Sequence, residues 1–337
     1  MTTLRILSGT GATLQDGGRH GYLRYGITPA GPMDPLAHAT ANRALGNPPG
    51  VTAIEVTLGG LAFTVEDGPL DIALAGGAFR IDCDGRSLPA AVALTLMPGA
   101  RINVRAGTAG AWCTLAVAGR IVVAETLGST ATHTRSRMGG LDGRGLAEGD
   151  RLAVADARAA IGEPAAIVAP WLDRVPETVR VVLGPQDDYF AASEIAAFFA
   201  GPWTVTPRGD RMACFLEGRP LRHAKGHDIV SDGVAQGAIQ VPGDGLPIVL
   251  MADRQPTGGY PKIATVIGPD LGKLAQAQAG TRLRFASVSV EEAVAARRDE
   301  AAALAAAIRL EPLTRTAFSS EFLLERNLIG GVVGGGS

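Results

Sequence analysis

Between residues 51 and 155 the apolar positions fall into short, partly alternating runs at 53–58, 71–75, 92–96, 102–105, 113–117 and 151–154. Gly- or Pro-containing turns separate them at roughly ten-residue spacing, which predicts the strands of a sandwich or barrel rather than βαβ units. A short strand at 4–7 precedes them, and then Gly31-Pro-Met-Asp34 opens a helix, with Asp34 as N-cap and Pro35 at the first helical position. Ala37, Ala41, Ala44 and Leu45 share one face of that helix and Gly46 closes it. So small a stripe lets the helix lie close against a sheet. His38 falls off the stripe and is expected to be exposed.

Between 155 and 176 the chain turns Ala- and Pro-rich, which places a domain boundary there. Beyond it the pattern restarts. A strand at 179–183 leads to Gly184-Pro-Gln-Asp187, which repeats the earlier Gly-Pro-Met-Asp, and Ala191, Ile195, Phe198 and Phe199 repeat the helical stripe at nearly the same offset. Two features recurring together point to an internal duplication. The reading is a first domain over 1–165 and a second over 172–290. A C-terminal helix over 291–312 follows, opened by the capping-box spacing of Ser289-Val-Glu-Glu292. The Gly-rich segment 330–337 has no packing logic and reads as a disordered or artificial tail.

Composition narrows the function. At 337 residues the chain exceeds the usual single-domain size, and a net charge of −2 gives no electrostatic case for nucleic acid or an anionic membrane. Cys83, Cys113 and Cys214 are odd in number and widely spaced, as buried thiols are and a disulfide framework is not; no spacing suggests a metal site. No apolar run approaches the ~20 residues that span a bilayer, and the N-terminus lacks a cleavable signal, so a cytoplasmic, soluble protein is expected. The Gly-rich loops at 15–22 and 136–144 lack the order of a phosphate-binding loop, and Gly272-Lys273 is followed by Leu274.

The richest chemistry lies in 238–264, which begins and ends as apolar strand. Its middle gathers Asp253, Arg254, Gln255, Thr257, Gly258, Gly259, Tyr260 and Lys262. A turn that only reverses the chain has no use for so many functional groups, whereas loops on rigid scaffolds carry binding groups. A β-hairpin with a polar tip is the bland alternative. Lys262 carries particular weight because Lys225 and Lys273 are the only other lysines.

Gln15-Asp-Gly-Gly-Arg19, Gly31-Pro-Met-Asp34, Ala41-Asn-Arg-Ala-Leu-Gly-Asn47, Ser136-Arg-Met-Gly-Gly140, Gly184-Pro-Gln-Asp187, Asp210-Arg-Met212 and the block 237–264 together resemble the KipA family. That family is also called allophanate hydrolase subunit 2, the biotin-dependent carboxyltransferase family, or the C subunit of 5-oxoprolinase. The resemblance runs from about residue 4 to residue 292 and departs from the family at Pro256, where a small polar residue such as Thr is expected; proline removes an N–H donor there. It implies a mainly β protein with a few helices, built as two tandem cyclophilin-like β-barrels related by duplication. It also implies partners: a KipI-like B subunit and a LamB/YcsF-like A subunit, in an assembly that opens 5-oxo-L-proline to L-glutamate using ATP at an unassigned site. Two alternatives come with it. One is the carboxyltransferase half of a urea carboxylase-like system, with biotin supplied by a separate carrier; the other is a non-catalytic antagonist of a KipI-like kinase inhibitor.

Lactam opening and carboxyl transfer both develop charge on an amide or ureido oxygen, which preorganised donors must meet. On that chemistry the catalytic candidates are Lys262, Asp253, Arg254 and Tyr260, and the substrate-binding candidates are Gln240, Gln255, Thr257, Gly258, Gly259 and Arg211. Thr257-Gly258-Gly259 could present its N–H groups as an anion-binding nest. Lys262 and Arg254 could hold a carboxylate, phosphate or carboxybiotin group, Asp253 could orient Arg254 or act as a base, and Gln240 or Tyr260 could bind the amide. Alternatively Asp253 and Arg254 pair with each other and Lys262 is solvated. Gln15, Asp16, Arg19, Asn42 and Glu55 are explained well by caps and turns.

Overall fold

The computed structural model describes residues 2–305 and 308–313. Among the described residues the protein is mainly β with four α-helices. In the first half the spine is a pair of long strands, Leu70–Cys83 and Arg101–Val117, antiparallel along most of their length in a twelve-stranded sheet. Their ladder is interrupted between Gly76 and Arg80, where a Cβ on Gly77 would stand 2.8 Å from Gly110 Cα. Such an approach suits glycine alone, and a ladder irregularity there lets one strand bend and serve two neighbours. Arg101–Val117 accordingly pairs with Leu61–Glu66 at one end and Ala53–Val56 at the other. Each long strand therefore reads in the sequence as shorter runs.

The second half is a closed barrel of seven strands. Thr178–Leu183, Lys262–Val266, Ala238–Gln240, Ile248–Leu250, Ala213–Glu217, Trp203–Val205 and Arg282–Ser287 follow one another around it, and the last pairs in parallel with the first. Closure removes the unpaired edges that an open sheet exposes. Phe198, Trp203, Ile239, Val249, Ile263 and Phe285 fill its core, and Leu4, Ile6, Phe63, Ile72 and Leu115 belong to that of the first half.

The helix Pro35–Ala44 is capped as expected, Asp34 accepting the Ala37 N–H at 3.1 Å. His38, expected to be exposed, is buried: the helix packs on the long strands and also against the helix Gly268–Ala275, and His38 Nε2 lies 3.0 Å from the Val51 carbonyl. Gly184-Pro-Gln-Asp187 does not open a helix as its counterpart does. It leads into a single 3-10 turn, Asp187–Tyr189, and the helix Ala192–Ala200 starts later without a side-chain cap. Of its predicted stripe, Phe198 is fully buried, while Ile195 and Phe199 are partly so.

Ser289 and Glu292 form the reciprocal capping box, at 2.7 and 3.1 Å. The helix they start, Val290–Ala305, does not run to 312. Arg309–Pro312 is a strand paired with Ala165–Val168, which itself extends the first sheet beside Val92–Ala93. Pairing to a waiting sheet edge outweighs helix propensity on a helix that buries no residue. The tail at 330–337 lies outside the described residues.

Two clasps stand out among the described contacts that join the halves. The Asp34 carboxylate accepts from Arg174 at 2.6 and 2.8 Å and from Gln276 Nε2 at 2.8 Å. Gln276 Oε1 in turn accepts the backbone N–H groups of Ala111 and Trp112 in the first half. The second clasp, Glu55 with Arg211, belongs to the cleft between the halves.

Candidate functional site

A cleft of about 810 Å³ runs between the halves. Met33, Trp112, Met212 and Met251 contribute apolar walls, and Arg211 and Asp253 bring charge. Arg211 Nε and Nη2 bind the two Asp253 oxygens at 2.9 and 2.8 Å. Arg211 Nη1 bonds Glu55 Oε1, and Nη2 also reaches the Gly31 carbonyl at 2.7 Å. Glu55 Oε2 accepts the Met33 N–H at 2.6 Å. A strand register explains how Glu55 arrives: it stands opposite Thr13 and Thr114 on the polar face of its sheet, while Leu14, Ile54 and Leu115 on the other face join the core. Burial pushes the Glu55 carboxyl up against the opposing charge of Arg211. Burial alone would lower Arg211, but Glu55 and Asp253 outweigh it and hold the guanidinium above its usual range.

Asp253 is therefore held as a fixed counter-ion with both oxygens engaged. It does not pair with Arg254, which donates instead to the Val234 carbonyl at 3.0 Å. Burial lowers the Arg254 guanidinium to about 10, with Asp253 opposing the change.

The other predicted residues form a second cluster, a shelf beside the barrel wall. Gln240 and Lys262 are cross-strand partners, and a β-bulge places Lys262, rather than Ile263, opposite Gln240. Bulges re-aim side chains in this way. Lys262 keeps only 2% of its side chain exposed and donates to Asp232 Oδ2 at 2.9 Å. Gln186 ties the corner together: its N–H donates to the Lys262 carbonyl at 3.0 Å, its Oε1 accepts the Lys262 N–H at 3.2 Å, and its Nε2 reaches Asp232 at 3.3 Å. The Lys262 bond holds the Asp232 carboxyl below its ordinary value, helped by the Gly233 N–H.

Gln240 is buried, its Oε1 accepting from Gln255 Nε2 at 3.4 Å while its own Nε2 has no partner among the described residues. Thr257–Gly258 pairs as a short strand with Asp232–Gly233. Neither Gly258 nor Gly259 takes positive φ, so this extended segment does not form the expected nest. Glycine is needed at 258 for space, since a Cβ there would come within 2.4 Å of Gln240 Nε2. Pro256 accepts the Val234 N–H through its carbonyl at 3.0 Å, and Gly259 accepts that of Ile229 at 2.8 Å. Tyr260 stands 40% exposed at the rim.

The structure thus divides the predicted residues. Arg211 and Asp253 line the cleft, Gln240, Gln255, Thr257, Gly258 and Lys262 make the shelf, and Arg254 is buried against the Val234 carbonyl beside Asp253. Sequence reasoning missed Gln186 and Asp232. Gln186 sat in a motif read as a helix entrance, and Ser231-Asp-Gly233 reads as an ordinary turn. Glu55 was explained as local structure and is a member of the cleft cluster instead. Of the other residues so explained, Asp16 accepts from Gly18, Ser129 and Thr130, Arg19 binds three loop carbonyls, and Asn42 binds the Val51 carbonyl. Gln15 is buried, with its Oε1 unpartnered.

Comparison with known proteins agrees with this architecture. The chain is 36% identical to the C subunit of 5-oxoprolinase from Escherichia coli over 88% of its own length and 94% of that protein. It is 35% identical to the corresponding 5-oxoprolinase C subunit of Haemophilus influenzae over 85% of this chain and 91% of the other. Among solved structures, the urea amidolyase of K. lactis superposes with a TM-score of 0.83 at 27% identity, covering 90% of this chain and 20% of that much longer one. The family model described as the carboxyltransferase domain, subdomain A and B, matches residues 25–287. With the two halves, the closed barrel and the shared cleft in place, the chain belongs to the carboxyltransferase-domain family, subdomains A and B.

Proposed function

We propose that this chain is the C subunit of a multi-subunit 5-oxoprolinase, which converts 5-oxo-L-proline to L-glutamate, and that the shelf around Lys262 receives the substrate. The observation that carries the reading is a buried ammonium one strand away from a buried amide N–H with no acceptor. Buried donors without partners are costly, and a bound oxygen would satisfy this one. In lactam opening water adds to the ring carbonyl, the C–N bond breaks, and nitrogen keeps the electron pair and takes a proton. Gln240 Nε2 is the donor that meets the oxygen charge of such a step, and the Lys262 ammonium beside it holds an anionic group of the substrate. Gln255, Thr257 and Tyr260 edge the shelf, Gly258 leaves room for the Gln240 amide, and Arg254 braces the loop from Val234. Arg211 and Asp253 fix the cleft side of the same loop.

The partners in this reading are a KipI-like B subunit and a LamB/YcsF-like A subunit, and ATP is used at the level of the complex. The Gly-rich loop at 15–22 does not fit a nucleotide. Asp16 already takes the Gly18 N–H at 2.9 Å and the Thr130 N–H at 2.7 Å, and Arg19 is turned inward onto the carbonyls of Thr126, Ser129 and Ala131. That loop is therefore not the ATP site of this reading.

A second reading is the carboxyltransferase half of a biotin-dependent system, favoured by the family match and by the likeness to K. lactis urea amidolyase. The apolar-walled cleft would then receive biotin from a separate carrier. The test is 5-oxoproline-dependent ATP hydrolysis by the reconstituted assembly, with urea and biotin as controls. Lys262→Ala is expected to lower the 5-oxoproline-dependent rate by about 10²-fold, as loss of a group that positions the substrate does. Turnover of urea in its place, with saturable biotin binding, would transfer the assignment to the second reading. An unchanged rate in Lys262→Ala would remove Lys262 from the site.

A further inference from the structure

Lys262 and its counter-ion are unequally placed. The ammonium is buried to 2% exposure, whereas Asp232 stays 53% exposed on a two-residue strand outside the barrel. Its remaining side-chain contacts are light: Gln186 Nε2 at 3.3 Å and the N–H of its neighbour Gly233 at 2.7 Å. Asp232 can turn into water and be hydrated there. Lys262 has no such exit, and a buried cation left without an anion is strongly unfavourable. The pair is thus stable only until another anion takes over the Lys262 end.

Directly across the strand pair lies the unpartnered Gln240 Nε2. Side chains of cross-strand partners start roughly 4.5–5.5 Å apart at Cβ. The shelf with Asp232 turned away therefore offers one cation and, beside it, one neutral N–H donor. An anionic oxygen suits the first and an amide carbonyl the second.

We propose that Asp232 is a built-in stand-in for the substrate's carboxylate, displaced when a small amide bearing a carboxylate binds, with Lys262 taking the carboxylate and Gln240 Nε2 the amide oxygen. The proposal rests on the reading of the Lys262 shelf as the substrate site and deepens it by naming the charge the substrate must carry. A neutral amide has nothing to exchange for Asp232. Urea and pyrrolidin-2-one are accordingly excluded from this exchange, while 5-oxoproline carries both groups on one small ring.

The experiment is calorimetric titration of the full chain with 5-oxoproline, pyrrolidin-2-one and urea, in wild type, Asp232→Ala, Asp232→Asn and the double variant Asp232→Ala/Lys262→Ala. Where a competitor occupies a site nine-tenths of the time, removing it tightens apparent binding about tenfold. Both single Asp232 variants are expected to bind 5-oxoproline at least about tenfold more tightly than wild type. The neutral amides are expected to show no gain, and the double variant is expected to lose it. Equal or weaker 5-oxoproline binding without Asp232, or an equal gain for pyrrolidin-2-one, would overturn the exchange. That failure is separable from failure of the shelf reading, because an inactive Lys262→Ala assembly would still leave Lys262 in the substrate site.

Discussion

Arg211 is held between two carboxylates that would otherwise repel each other inside the protein. Asp253 binds it through two parallel bonds and Glu55 through a third, with the Gly31 carbonyl completing the set. Breaking a buried ionic group by removing one partner typically costs about 3–5 kcal/mol, because the remaining charges are left uncompensated. Arg211→Met is therefore expected to destabilise the protein by that order in urea denaturation. Glu55→Gln should be far milder, on the order of 1 kcal/mol, because the amide can still bond and because burial already favours the uncharged form of this carboxyl. Adding Glu55→Gln to Arg211→Met should then recover part of the loss, since one of the two stranded charges is gone. Additive losses in the double variant would mean that the two residues do not share one electrostatic cluster.

Among the elements, the helix Pro35–Ala44 carries the clearest pH response. Burial lowers His38 from its ordinary 6.5 to about 4. Its Nε2 faces the Val51 carbonyl and its Nδ1 has no partner among the described residues, so protonation would strand an N–H in the interior. The unfolded chain takes up a proton near pH 6.5 that the folded chain refuses until about pH 4. Stability is therefore full above 6.5, falls as pH drops through that interval, and loses nothing further from this group below it. The interval corresponds to roughly 3 kcal/mol. His38→Gln should flatten the stability profile between pH 7 and 4, measured by urea midpoints; an equally steep profile would assign the acid sensitivity to other groups. The sequence announced this helix and its cap, because Asp34 and Pro35 act on their immediate neighbours. The same holds for the capping box at Ser289. It could not announce the burial of His38, whose ring meets the Val51 carbonyl in the interior, nor the strand Arg309–Pro312, which exists through pairing with Ala165–Val168. Gly184-Pro-Gln-Asp187 shows the opposite failure: a local motif identical in spacing to a working cap is taken up by Gln186, which bonds the backbone and the counter-ion of Lys262.

For the molecule as a whole, what matters is how two halves are held as one. Among the contacts that do so are those joining Asp34 to Gln276 and Glu55 to Arg211, separated by 242 and 156 residues. No local pattern marks such pairs, which is why the sequence indicated the polar loop but not the cleft it borders. Asp34 does three things at once: it caps its helix, pairs with Arg174, and receives Gln276. Gln276 passes the connection on to the backbone of Ala111 and Trp112 at the cleft wall. Losing the cap alone costs about 1 kcal/mol, and stranding the largely buried Arg174 adds to it, so Asp34→Ala should cost on the order of 3 kcal/mol or more. Gln276→Ala leaves the cap and Arg174 intact and should cost about 1–2 kcal/mol. Because both variants break the same bond, the double variant should lose less than the sum, by roughly 0.5–3 kcal/mol. A thermodynamic cycle from urea midpoints measures that coupling directly. Zero coupling would mean that Asp34 stabilises its own helix without clasping the halves through Gln276.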